Sequence, residues 1–308
     1  MTAELAFNRS VDVEYGVAEE MAPGVRRIVA NNPGPYTFLG SNTYIVGQGE
    51  VAVIDPGPAD KAHLAAIAEA TRGERITHIL LTHRHRDHCD GARPLQAALG
   101  GEIYAFGIEG KRGNAVIPGM EDYTDFGLQP DRVLADGETV RGAGWALDVI
   151  HTPGHARDHL CFALVGQRTV FTGDHVMGWN TTVIAPPEGS LAEFLASMEK
   201  LLDRNDKAFL PGHGGQILTP RRVVRAYMMH RKWREQTILA CLEEGVNTIA
   251  PIVDRLYGGL EPGLKGAAAL SVFAHLEYLI ERGQVETEGP AGLLSTYLLA
   301  ETETRRAS

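Results

Sequence analysis

The chain has 308 residues, 44% of them apolar and 22% charged, and a formal net charge of −10. This composition supports a folded core in one or two domains and excludes a disordered chain. Taken alone, the acidic balance argues against a dedicated nucleic-acid binder, which needs a basic surface. Only three Cys are present, scattered along the chain, which excludes a disulfide scaffold and points to a reducing, cytoplasmic setting. No apolar run approaches the ~20 residues of a membrane helix. Residues Met1 to Ser10 lack the order of a signal peptide.

Taken in order, the first two-thirds read as short strands broken by Gly/Pro turns. Strands are expected at Val25–Ala30, Thr43–Gly47, Val51–Asp55, Ile76–Thr82, Glu102–Ala105, Ala146–Thr152, His159–Val165 and Thr169–Gly173. Helices are expected at Asp60–Arg72, at Ala92–Leu99 before Gly100-Gly101, and at Ser190–Arg204, where Ser190 and Glu193 form a capping box. This mixture indicates an α+β layered fold with helices covering sheet faces. The last ninety residues differ. Helical patterns span Arg221–Glu244, Asn247–Tyr257 and Lys265–Arg282. Gln284–Glu286 and Leu294–Leu298 then read as a small hairpin, which completes the order of a winged helix. Charge changes at the same place: residues 1–219 hold 18 basic and 28 acidic residues, residues 220–308 hold 11 of each. A boundary is therefore expected at 219/220.

The strongest chemical signal is Thr82-His83-Arg84-His85-Arg86-Asp87-His88, directly after an apolar strand. In an extended or tight turn, His83 and His85 point the same way, and Asp87-His88 can turn onto a second point nearby. Imidazole and carboxylate suit zinc and, less exclusively, iron or manganese. Three further strand ends each carry one ligand-capable residue in a small-residue turn: His155 in Thr152–His155, Asp174 in Thr172–Asp174 and His213 in Pro211–Gly214. Strand ends converging on one rim would bring these seven groups together.

The H-x-H-x-D-H pattern, with the later His155, Asp174 and His213, strongly resembles the metallo-β-lactamase superfamily. The resemblance implies an αββα sandwich with two divalent metal ions along one edge. By that resemblance, His83, His85 and His155 hold the first ion, Asp87, His88 and His213 the second, and Asp174 bridges them. Asp158-His159 after the Gly-His turn, and His230 to Leu239, resemble a narrower branch with an appended winged-helix domain, whose animal members include a mitochondrial endoribonuclease. Two departures stand out: Cys89-Asp90-Gly91 follows the motif where two Gly are common, and residue 175 is His.

The expected reaction is hydrolysis. Two such cations, zinc first and manganese or iron as alternatives, lower the pKa of a shared water and polarise the scissile bond. Asp87 is a candidate to orient that water, with plain ligation as the alternative. His175 and His159 are candidates to protonate the leaving group. The alternative for His175 is a hydrogen bond that fixes Asp174, and for His159 a buried structural place. Asp55 either supports the site or caps its turn. Tyr36, Thr37, Phe38, Asn42, the long connection Phe106–Gln129, and Trp179 to Thr182 are candidate pocket walls.

Two substrates are in view. The first is a small ester, thioester, lactone or amide. The alternative is single-stranded RNA, suggested by the winged helix and by six basic residues (Arg221, Arg222, Arg225, Arg231, Lys232, Arg234) in a stretch without an acidic one. A non-enzymatic regulator is disfavoured by the complete ligand set. No membrane partner is expected, and the oligomeric state is left open.

Overall fold

A computed structural model describes residue 7, residues 9–107 and residues 123–300. Most of the connection from Phe106 to Gln129 therefore lies outside the described residues.

Two β-sheets face each other. The larger has seven strands in sequential order: β1 (Glu19–Ala22), β2 (Val25–Val29), β3 (Asn42–Gln48), β4 (Glu50–Ile54), β5 (Arg75–Leu80), β6 (Glu102–Phe106) and β7 (Arg132–Leu134). Pairing is antiparallel up to β4 and parallel from β4 to β7. Parallel pairing requires crossovers; α1 (Lys61–Ala70) joins β4 to β5 and α3 (Ala92–Leu99) joins β5 to β6. The second sheet runs β12-β11-β10-β9-β8, with β8 (Thr139–Gly142), β9 (Trp145–His151), β10 (Leu160–Leu164), β11 (Thr169–Gly173) and β12 (Ala208–Pro211). Its one parallel pair, β11 with β12, is bridged by α4 (Leu191–Asp203).

Alternation along the strands decides the layers. From β3, Tyr44 and Val46 point between the sheets and meet Leu147, Phe162 and Phe171. Ile45 points outward, onto the α1 and α3 layer. From β10, Phe162 points in, while Cys161 and Ala163 point out towards Phe194 and Met198 of α4. The result is helix, sheet, sheet, helix. Short strands β1, β7 and β8 and the single turn α2 (Arg86–Cys89) were not foreseen. Each is four residues or fewer, too short to show a period.

The long helix α5 spans Pro220–Glu243. Its buried residues serve two cores. Val224 and Tyr227 join the layer outside the second sheet. Ile238, Cys241 and Leu242 join a separate core with α6 (Ile249–Leu256), α7 (Lys265–Glu281) and the hairpin β13 (Val285–Thr287) and β14 (Tyr297–Leu299). Three helices followed by a hairpin form the winged-helix module. Its third helix, α7, packs on α4, and Ala274 enters the layer outside the second sheet.

Candidate metal centre

All seven candidate ligands sit at strand ends or in the turns that follow them, along one rim of the sandwich. His83, His85, Asp87 and His88 follow β5 and run into α2. His155 follows β9, Asp174 follows β11 and His213 follows β12. Three groups of ligand atoms lie within 4.8 Å of one another: His83, His85 and His155; Asp87, His88 and His213; and His83, His88 and Asp174.

The imidazole tautomers follow from the outer hydrogen bonds. Thr82 Oγ1 donates to Asp55 Oδ2 (2.7 Å), so it accepts from His83 Nδ1 at 2.9 Å. His155 Nδ1 donates to Val183 O (2.7 Å) and His213 Nδ1 to Gly40 O (3.1 Å). His88 Nδ1 donates to Asp55 Oδ2 (2.9 Å). With each Nδ1 holding a proton, the four Nε2 lone pairs are left to face inward, as metal ligation demands. The inward nitrogens crowd together. His83 Nε2 is 2.9 Å and His155 Nε2 is 3.0 Å from His85 Nδ1. His88 Nε2 is 3.2 Å from His213 Nε2. Asp174 lies between the groups: Oδ2 is 3.4 Å from His213 Nε2 and 3.8 Å from His155 Nε2, and Oδ1 is 3.4 Å from His88 Nε2.

Asp87 Oδ1 and Asp174 Oδ1 are buried without a hydrogen-bond partner. A buried carboxylate oxygen is costly unless a donor or cation takes it, and here both face converging lone pairs. The donor set thus fits divalent cations. Charge follows the same logic. Burial, then neighbouring imidazoles, hold His83 and His85 well below the usual histidine value. At His213, Asp174 and Asp87 outweigh burial and raise the group to about 10. Burial would raise Asp174, but His213 and His88 hold it well below the usual carboxylate range.

The backbone fits tightly. A Cβ on Gly212 would stand 2.5 Å from Asp174 Oδ1 and 2.7 Å from His88 Cε1. Asn42 Nδ2 donates to Pro211 O (2.8 Å) and Gly214 O (2.9 Å), clamping the loop that carries His213. A buried Arg84–Asp158 ion pair (2.9 Å) ties the motif loop to the turn after His155. Asp55 does more than cap a turn: it accepts from Thr82 N (2.8 Å), Thr82 Oγ1 and His88 Nδ1.

His175 is not placed to reach a substrate. Its ring is fully buried against Phe194 (centroids 4.5 Å apart), neither nitrogen has a partner, and burial lowers it to about 3. One bond that holds the Asp174 backbone comes from His159, whose Nε2 accepts the Asp174 N–H at 3.1 Å. His63 and His78 are structural: the first bonds Thr43 Oγ1, the second packs on Tyr104 and Trp145.

Beside the ligands lies a small pocket. His155 and Asp174 form its floor, and Pro35, Tyr36, Tyr123, Met177, Trp179 and Val183 are among its walls. Phe38 stacks behind Trp179 at 4.9 Å. Among the described residues no Lys or Arg lines it. Tyr36 and Trp179 were expected walls. Tyr123, Met177 and Val183 were not individually singled out, because isolated residues in loops leave no pattern.

The fold and the donor set are those of a metallohydrolase. The family model of the metallo-beta-lactamase superfamily matches residues 36–213, and that of the beta-lactamase associated winged helix domain matches residues 248–292. The chain belongs to the metallo-beta-lactamase superfamily. It is 32% identical over 283 residues to the beta-lactamase-like protein 2 homolog of Drosophila melanogaster, covering 88% of this chain and 92% of that one. It is 30% identical over 252 residues to an atrochrysone carboxyl ACP thioesterase of Claviceps purpurea, covering 78% and 74%. A metallo-beta-lactamase family protein from Thermus thermophilus superposes with a TM-score of 0.75 at 24% identity, covering 91% of this chain and 100% of that one.

Proposed function

We propose that the protein is a two-metal hydrolase of small acyl substrates, with thioesters first among esters, lactones and amides. The observation that carries this reading is the cavity. Besides His155 and Asp174, its described lining is mainly aromatic and apolar, with Asn180 and Thr181 as its neutral polar residues and no Lys or Arg. Such a lining suits an acyl chain or ring and offers a phosphate backbone no side-chain cation. The Claviceps relative, named as a thioesterase, adds support.

His83, His85 and His155 would hold one ion, Asp87, His88 and His213 the other, with Asp174 shared. Zinc fits this set first, then manganese or iron. When bound, two such ions acidify a water and polarise the acyl carbonyl. Asp87 would receive the proton. Its Oδ2 accepts from Ser41 Oγ at 3.2 Å, and its Oδ1 has no partner. Tyr36, Tyr123 and Trp179 would orient the acyl group and exclude water. The leaving group's proton is not assigned to His175, given that ring's burial.

Single-stranded RNA has weaker support. Of the six cations expected to form a basic helix face, Arg231 is buried, and Arg234 lies over Tyr257 and bonds Leu256 O. Helix α7, the recognition helix of a nucleic-acid-binding winged helix, is largely buried and packs on α4. A reducing, cytoplasmic setting agrees with three free, buried cysteines. Among the described residues no helix is long and apolar enough to cross a membrane.

The test offers metal-loaded protein a panel of acyl thioesters and lactones and, separately, a labelled single-stranded RNA. Chelator-sensitive turnover of the acyl panel with RNA left intact is expected. RNA cleavage with an untouched acyl panel would reverse the assignment.

A further inference from the structure

The segment from Asp174 to Ala185 does two jobs in the proposed site. Its first residue is the shared carboxylate, and Met177, Trp179, Asn180, Thr181 and Val183 line the cavity. It has no helix or strand of its own. Bonds from Thr172, His155 and His159 hold parts of it, and a further set comes from α5. The Tyr227 hydroxyl is fully buried beneath the segment. It accepts from Met177 N at 3.0 Å and shares its single proton between Met177 O (2.7 Å) and Asn180 O (2.5 Å). One turn on, the buried Arg231 guanidinium donates to Thr182 O and lies 5.2 Å over the Phe194 ring. Thr182 Oγ1 in turn donates to Asp174 O at 2.7 Å and His175 O at 3.2 Å. An unbroken line of bonds therefore runs from α5 through Thr182 to the backbone of the shared ligand.

We propose that Tyr227 and Arg231 are positioning residues of the metallohydrolase site, through which the C-terminal helix sets both the cavity wall and the carrier of Asp174. The two act at different points. Tyr227 fixes Met177 and Asn180, which belong to the wall, so it governs how substrate is held. Arg231 fixes Thr182 and through it Asp174, so it governs how tightly the metals are held. Phenylalanine fills the same space as Tyr227 but leaves two carbonyls and an N–H without their partner. Methionine matches much of the length of Arg231 but cannot donate to Thr182 O, whereas lysine still can. The appended helix thus becomes part of the catalytic unit rather than a separate binding module.

The inference rests on the metal-site reading, and the experiment separates the two. Cobalt(II) is titrated into metal-free wild type, Arg231→Met, Arg231→Lys and Tyr227→Phe, following the visible absorbance. Steady-state kinetics follow on the best thioester. Arg231→Met is expected to weaken cobalt binding by ~10–100-fold, the range for losing an outer support of a ligand, with partial rescue in Arg231→Lys. Tyr227→Phe is expected to bind cobalt as wild type does and to raise KM about tenfold with kcat within about twofold. Melting curves confirm that each variant is folded. Folded Arg231→Met and Tyr227→Phe with wild-type cobalt affinity and wild-type KM would overturn the proposal, leaving α5 a packing helix only. If wild type bound no cobalt at all, the metal-site reading itself would fall, and this inference with it.

Discussion

Asp55→Asn removes no volume from the core and yet should weaken metal binding. The carboxylate accepts three bonds, from Thr82 N, Thr82 Oγ1 and His88 Nδ1, and all these groups are buried. Asparagine keeps one acceptor oxygen and turns the other atom into a donor. If the oxygen stays with Thr82 N, the new NH₂ faces Thr82 Oγ1 and His88 Nδ1, both of which were donating. His88 can relieve the clash by moving its proton to Nε2, but that covers the lone pair aimed at the metal. Thr82 Oγ1 can relieve it by turning, but then His83 Nδ1 loses its acceptor. Losing such outer support typically costs 10–100-fold in metal affinity, which is about 1.4–2.7 kcal/mol. The assay is competition against a chromophoric chelator on folded protein. Wild-type affinity in Asp55→Asn would refute the tautomer argument.

Gly212→Ala tests the fit of the site: its methyl would stand 2.5 Å from Asp174 Oδ1, so metal content should drop while melting falls by about 1–3 kcal/mol equivalent. A fully metallated variant would show that the rim is looser than described. Trp179→Ala should raise KM for apolar acyl substrates several-fold and leave metal content unchanged, because Trp179 lines the cavity without belonging to a ligand group; unchanged KM across the panel would move the substrate elsewhere. pH dependence follows from His213, where burial opposes and the two carboxylates together raise the pKa to about 10 in the metal-free fold, against about 6.5 when unfolded. Its stabilisation of the metal-free protein is complete below about pH 6.5 and is lost as pH rises towards 10, by up to ~1.4 kcal/mol per unit. The same proton must leave when a cation binds, so affinity should rise up to about tenfold per unit between pH 7 and 9. Chelator competition across that range reads it directly, and a flat profile would contradict it.

Much of the centre was legible because its ligands are close in sequence or sit in short turns after strands. His83 to His88 announce themselves by spacing alone. His155, Asp174 and His213 do so through the small residues around them, which Gly212 explains: no side chain fits beside Asp174 and His88. What stayed hidden depends on contacts between distant segments. The support from Asp55 arises because β4 pairs with β5, which brings Asp55 beside Thr82. His159 and His175 look alike in sequence, and only the turn geometry decides that His159 bonds Asp174 N while His175 lies under Phe194. The basic stretch in α5 misleads for a related reason. Its spacing cannot tell that Arg231 points inward, towards Thr182.

The central claim is that these seven residues form a two-metal hydrolytic centre. Its most direct test is a titration of metal-free protein with zinc, following thioester hydrolysis and bound metal together. The account predicts activity that climbs with occupancy and levels off at about two ions per chain. Activity that is full without metal, or a fully loaded protein that leaves every acyl substrate intact, would contradict it.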